Sequence, residues 1–183
     1  VANYKKKCRD ALVAALSDGT NGFNAKLGAI AASYDIPLFS LEFGAESKNV
    51  AFGYLDPEEV DVSRIFEFPG AVIYSTESVN ENKIKFSKFS GFVNAYVVFY
   101  LRYRALDDPD TGSNQPTFGN DMEKYPDAVE DAMNEALHAG RSTMCQLGVL
   151  YEDYRADRDP VQTFGDGHVQ ILTFTLGMVV HVQ

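Results

Sequence analysis

Apolar residues recur at spacings of three and four near the start of the chain, with Tyr4, Cys8, Leu12, Ala15 and Leu16 on one stripe. That period predicts a helix over residues 3–17, ended by the turn-forming cluster Asp18-Gly19-Thr20-Asn21-Gly22. A second stripe, Phe23, Leu27, Ile30, Ala31 and Tyr34, predicts a helix that stops before Pro37, because proline cannot continue one. The period then changes. Leu38, Phe39, Leu41 and Phe43, then Val50, Phe52 and Tyr54, fit short strands or extended segments, and Asp56-Pro57-Glu58-Glu59-Val60 fits one helical turn capped by Asp56.

Beyond Pro69-Gly70 the β signal is strong, with one strand over 71–75 and a long one over 92–104 that pairs with it antiparallel. Along the long strand Val93, Ala95, Val97, Phe99, Leu101 and Tyr103 form the more apolar set and are expected to face the core. Residues 77–90 are read as a sizeable connection and 105–125, rich in Asp, Gly and Pro, as a mobile acidic loop. A third helix is expected from Pro126, with Val129, Met133, Ala136 and Leu137 on its inner face and Gly140 closing it. Two strands over 147–154 and 169–182 form a closing hairpin with a long or ragged loop, and Leu172, Phe174, Leu176, Met178, Val180 and Val182 line its core or interface side. The order predicts an α+β fold: an antiparallel or mixed sheet of about four strands, with two N-terminal helices and one crossover helix packed on one face. One domain over 1–183 is expected, with an irregular insertion at 38–69.

Composition changes this picture little. Hydrophobic residues at 45% and charged residues at 23% exclude a disordered or fibrous chain. The longest apolar runs, 95–101 and 174–180, fall far short of the roughly 20 residues that span a bilayer. Arg9 and Asp10 stand where a secretory signal needs apolar residues, so no targeting segment is read. Cys8 and Cys145 cannot staple a chain this long and point weakly to a reducing compartment.

Chemistry-bearing motifs are weak. Asp108, Asp110 and Gly112 resemble the start of a calcium loop, but its twelfth position falls on Gly119, where a bidentate acid is needed. His138, His168 and His181 sit in three different segments and neither cysteine has a CxxC partner, so no metal or cofactor site is assigned. Ser90-Gly91 lacks the strand-elbow-helix setting of a hydrolase nucleophile, and the glycines of Phe164-Gly165-Asp166-Gly167 lead into a strand, not a phosphate-binding helix. The carboxylate pairs Glu58-Glu59, Asp107-Asp108 and Glu152-Asp153 read as solvated surface, and no enzyme activity is assigned. Charge says more. Residues 107–159 hold thirteen acids against four bases, which accounts for nine of the ten net negative charges. Such a surface repels phosphate at close range, so specific nucleic-acid binding is not expected, although a wall past which DNA slides could use that repulsion. The cluster Lys5-Lys6-Lys7 and Arg9 could meet an acidic partner or be a solvated face.

The run from Gly22 through Phe23, Asn24, Leu27, Gly28, Ala31 and Tyr34 to Pro37, followed by Gly53-Tyr54-Leu55-Asp56-Pro57-Glu58, resembles the small structural proteins of tailed-bacteriophage neck and tail modules, most closely the tail terminators. The order of parts is similar over nearly the whole chain, with an extended 38–69 insertion and a long 107–125 loop as departures. The resemblance implies a non-enzymatic homo-oligomer, typically a hexameric ring. Such a ring sits in the virion on the head-proximal end of the tail tube, having assembled in the host cytoplasm. It would stop tube polymerisation, offer a docking surface to head-tail connector or neck proteins, and let DNA pass through its lumen. On that reading Asp107, Asp108 and Asp110 are candidates for a lumen- or tube-facing loop, and Tyr96, Tyr100 and Tyr103 for the subunit interface, unless those aromatics complete the monomer's own core. Two alternatives stand beside it: a head-side neck adaptor or tail-completion protein that binds the portal, and an unrelated small-molecule binder or hydrolase with a deep apolar pocket.

Overall fold

A computed structural model describes residues 4–44, 46–53, 67–77, 89–103, 116, 119, 121–164 and 167–181. Both N-terminal helices form where the apolar stripes place them, α1 over Tyr4–Leu16 and α2 over Phe23–Tyr34. The buried residues of α1 are Cys8, Ala11, Leu12, Ala15 and Leu16, and those of α2 are Phe23, Leu27 and Ala31. The turn between them is built by Asp18, whose Oδ1 accepts from the backbone N–H groups of Thr20 at 2.9 Å and Asn21 at 2.7 Å. These donors hold the Asp18 carboxyl below its ordinary value. Gly22 closes the turn because there is no room for a side chain: a Cβ there would lie 2.4 Å from the carbonyl oxygens of both Asp18 and Leu16.

The strands are β1 Val50–Phe52, β2 Gly70–Glu77, β3 Phe89–Tyr103, β4 Val149–Arg158, β5 Gln162–Phe164 and β6 Gly167–His181. Among the described residues they form one six-stranded mixed sheet, in the order β1-β2-β3-β6-β4 with β5 also on β6. Only β1 and β2 are parallel; the remaining pairs are antiparallel. The expectation of about four strands is therefore corrected. Two of the six have three residues each, too few to show a period, and β5 lies beside the same strand as β4, past Asp159 and Pro160. The connection between β4 and β6 is long, as expected, running over residues 159–166, and it contains β5, whose Phe164 pairs with Gly167 of β6.

Four helices, not three, are found among the described residues: α3 spans Lys124–Ala139 and a short α4 spans Arg141–Gln146. Gly140 ends α3 but has right-handed φ −78°, so the chain kinks and turns helical again where a left-handed residue would have led it away. Its lack of a side chain serves packing, because a Cβ would stand 2.6 Å from that of Ala15 on α1.

All the described helices pack on one face of the sheet. The alternation read from β3 is realised there, with Val93, Ala95, Val97, Phe99, Leu101 and Tyr103 buried opposite Leu172, Phe174, Leu176, Met178 and Val180 of β6. Phe23 meets Phe99 with ring centroids 5.0 Å apart, and Phe99 meets Phe174 edge-on at 5.4 Å. The segment after α2 is not a strand. It is pinned instead by side-chain amides: Asn24 donates to the Leu41 carbonyl at 2.8 Å and accepts the Leu41 N–H at 2.7 Å. Asn49 likewise accepts the Glu42 N–H at 3.0 Å and donates to the Ser40 carbonyl at 2.7 Å. The expected turn at 56–60, Tyr54, Val182 and most of the 77–90 and 105–125 segments lie outside the described residues.

Replacing Gly22 with Ala is expected to destabilise the fold by about 1–3 kcal/mol, since the clash is with backbone that no rotamer change relieves. Gly19→Ala, with open space around its Cβ, is the control and is expected to be near neutral. Denaturant midpoints for the two variants check this, and equal midpoints would refute the steric account.

Candidate functional site

The face of the sheet away from the described helices carries its own apolar cluster, Val72, Val98, Tyr100, Val169 and Ile171, flanked by Ala51, Phe68, Tyr74 and Tyr96. Tyr74 and Tyr96 stack with centroids 4.8 Å apart, and the Arg102 guanidinium lies over the Phe68 ring at 5.8 Å. Further along β3, Phe92 is exposed. Tyr96 and Tyr100 thus share this face, as their even spacing requires, but Tyr100 is 3% exposed and completes the monomer's own core there, which leaves Tyr96, half-buried, as the surface residue of the two.

Tyr103 does not. It has odd parity with them, points into the helix-covered core and is 2% exposed, which corrects its placement with the other two. Its hydroxyl donates to Gln170 Oε1 at 2.6 Å, and Gln170 Nε2 in turn donates to the Asp159 carbonyl at 3.1 Å. Tyr125 of α3 packs edge-on against Tyr103 at 6.3 Å, but its buried hydroxyl has no hydrogen-bond partner among the described residues. Burial raises the pKa of both phenols above the ordinary tyrosine range.

Two charged surfaces lie at opposite edges of the sheet. At the β1-β2 edge, Lys5, Lys6 and Arg9 of α1 combine with Phe52, Gly53, Ile73, Tyr74 and Ser75 to line a cleft of about 350 Å³. Ser75 fixes the start of α1 there by donating to the Lys5 carbonyl at 3.1 Å, and the Arg9 guanidinium sits over the exposed Phe52 ring at 5.3 Å. Asp10 pairs with both Lys6 at 3.6 Å and Arg9 at 3.4 Å.

At the β4 edge the sign reverses. Arg158 at the end of β4 reaches α3, where it donates to Asp127 Oδ1 at 2.5 Å and to both oxygens of Glu130 at 2.5 and 2.8 Å. Its pKa rises, chiefly through the Glu130 hydrogen bonds. Beside them Asp131 accepts the Tyr34 hydroxyl of α2, which raises the pKa of that phenol. Two carboxylates here hold one guanidinium, and the third holds a phenol.

The acids singled out in the sequence, Asp107, Asp108 and Asp110, lie outside the described residues. His138, His168 and His181 stay in separate places, on α3 and at the two ends of β6. Among the described residues no three His, Cys, Asp or Glu side chains are grouped to hold a metal, and no described helix is long and apolar enough to cross a membrane. Sequence reading noticed the basic cluster but missed both its cleft and the acidic cluster on α3. The signal for the latter was present, since Asp127, Glu130 and Asp131 fall three and four apart and share a helix face. Compared with known proteins, the chain matches no family model and no curated protein.

Removing the unpaired hydroxyl with Tyr125→Phe is expected to leave stability unchanged or raise it by about 1 kcal/mol, whereas Tyr103→Phe strips Gln170 of its donor and is expected to cost about 1–2 kcal/mol. Opposite signs in urea unfolding are the expected result, and a larger loss for Tyr125→Phe would show that its hydroxyl is satisfied. The same buried groups make the fold sensitive to alkali. Burial pushes the Cys8 thiol up to about 12 and keeps the Tyr103 and Tyr125 phenols neutral. Above about pH 9 only the unfolded chain releases these protons, so it binds fewer protons than the native state and stability falls as pH rises. Their contribution is fully present below about pH 9, and an unfolding midpoint unchanged between pH 7 and 11 would contradict it.

Proposed function

We propose that this chain is a non-enzymatic structural protein of a tailed-phage virion, a tail terminator that assembles into a ring, a hexamer being the form its resemblance implies, on the head-proximal end of the tail tube. The ring stops tube growth and offers the face on which head-tail connector proteins dock. The observation that carries the reading is how the resembling residues are used. Gly22 makes the interhelical turn, Phe23 lands on the sheet at Phe99, and Asn24 clamps the chain at Leu41. Each of these residues shapes the fold, as expected of a run that serves architecture.

The sheet adds to that support. One face is covered by four helices among the described residues, while on the other Val72, Val98, Tyr100, Val169 and Ile171 are themselves buried and Tyr96 and Phe92 retain exposed surface. A building block of a ring needs exposed aromatic surface such as these two residues offer. Under this reading the segment with Asp107, Asp108 and Asp110 turns to the lumen or the tube, where its charge keeps passing DNA from sticking.

Native mass measurement and negative-stain imaging of the purified chain, with and without tail tubes, test the proposal. Rings that cap one end of each tube are the expected result. A chain that ignores tubes and joins portal complexes would replace the terminator with a head-side neck adaptor, and one that ignores both would overturn the structural reading. Reversing Asp107, Asp108 and Asp110 to Lys is expected to leave the ring intact and lower the yield of DNA-filled, infectious particles.

A further inference from the structure

Asn21 is the only asparagine of the chain that is followed by glycine. That pairing carries a reaction of its own, because a backbone nitrogen can attack the carboxamide of the asparagine before it, and glycine has no Cβ to obstruct the approach. The pair lies in the turn between α1 and α2, where Asn21 is exposed and Gly22 is buried. The Asn21 carboxamide takes part in no hydrogen bond among the described residues, so its carbon is open to the neighbouring nitrogen and to water.

We propose that Asn21 is a self-modification site: it converts through a cyclic imide to aspartate or isoaspartate, and the turn built by Asp18 holds the reaction off until that turn opens. The nitrogen of Gly22 gives up its proton to water, and its electron pair forms a bond to Asn21 Cγ. The Cγ–Nδ2 bond breaks, and Nδ2 takes up a proton and leaves as ammonia. Water then opens the ring. Addition at Cγ restores the ordinary main chain with aspartate at position 21, whereas addition at the main-chain carbonyl routes the chain through Cγ and leaves isoaspartate. One water is consumed and one ammonia released, and nothing is oxidised or reduced.

The brake lies in the geometry. The attacking nitrogen is not free, since the Gly22 N–H donates to the Asp18 carbonyl at 2.9 Å. On the other side of the residue, the Asn21 N–H donates to Asp18 Oδ1 at 2.7 Å, beside that of Thr20 at 2.9 Å. Both peptide groups that flank Asn21 are thus tied to one residue, and the rotation that carries the Gly22 nitrogen to Cγ must break a tie. The turn also has little room to rearrange, since even a Cβ on Gly22 would meet the Asp18 and Leu16 carbonyl oxygens at 2.4 Å. The same crowding sets the consequence of the reaction. Isoaspartate adds one main-chain carbon between Asp18 and Phe23, and Phe23 is seated on Phe99 at 5.0 Å, so the longer chain displaces either the turn or the start of α2.

Peptide mapping by mass spectrometry tests this by following the amide-to-acid mass gain at Asn21, in the native chain and in guanidinium chloride, with enzymatic methylation to count isoaspartate. The native chain is expected to convert at least about tenfold more slowly, since ring closure waits for the turn to open. Amide hydrogen exchange at Gly22 is expected to show protection of similar size, because the same opening frees that proton. Asp18→Ala, its fold checked by circular dichroism, is expected to convert at least about threefold faster than the unaltered chain, with Asp18→Ser, which keeps an oxygen acceptor, between the two. The isoaspartate form is expected to unfold at a lower denaturant midpoint than the Asn21→Asp variant, and equal midpoints would refute the displacement of the turn. Equal native and denatured rates, a folded Asp18→Ala chain no faster than the unaltered one, or a Gly22 amide without protection would each overturn the brake. An Asn21 that stays intact in denaturant would overturn the site itself. Should Asp18→Ala fail to fold, the rate ratio and the Gly22 exchange decide without it.

Discussion

Phe99 is the point on which the fold turns. It lies mid-way along β3, paired with Ala71 of β2 on one side and Leu172 of β6 on the other, so any shift of its ring would disturb three strands. Phe23 rests on it at 5.0 Å and places the first turn of α2, while Phe174 meets it edge-on and is itself stacked with Tyr154 of β4 at 5.9 Å. Phe39 extends the chain of rings from Phe23 to Tyr125 on α3. Aromatic contacts of this kind combine large buried area with preferred angles, so they fix where each helix lands as well as how firmly it is held. With those helices gathered on that side, the opposite face carries a second buried cluster of its own, Val72, Val98, Tyr100, Val169 and Ile171.

The parts of the fold that were legible in the sequence are those where one period runs long enough to be counted. The stripes of α1 and α2, the odd residues of β3 and the even residues of β6 all predict the buried set, because each rests on a helix or strand with one face toward the core. What was not legible depends on partners distant in sequence. Asn24 and Asn49 do the work of a strand for residues 40–42, yet nothing local to either asparagine announces that its amide will meet a backbone seventeen or seven residues away. The two three-residue strands exist through their neighbours, β2 and β6, and carry no pattern of their own. Gly140 read as a helix stop, although its role comes from Ala15 across the interface.

The candidate site divides in the same way. Tyr96 and Tyr100 could be placed together from parity, and parity alone was enough to separate Tyr103 from them, so that error lay in grouping by residue type. The basic cluster was visible as a run of letters, but its cleft needs Phe52 and Tyr74, which arrive from two strands more than forty residues away. Chemistry that depends on composition can be read early. Chemistry that depends on enclosure waits for the fold.

Charge links the two scales. A net charge of −10 favours keeping copies apart in solution, and that repulsion acts over the whole surface. At physiological ionic strength, however, it is screened beyond about 8 Å, so copies approaching at larger separation feel little of it. Close contact is governed by the local groups instead, and here the sign depends on which edge is presented. Acidic edge against acidic edge is penalised, as is basic cleft against basic cleft, while the unlike pair is favoured.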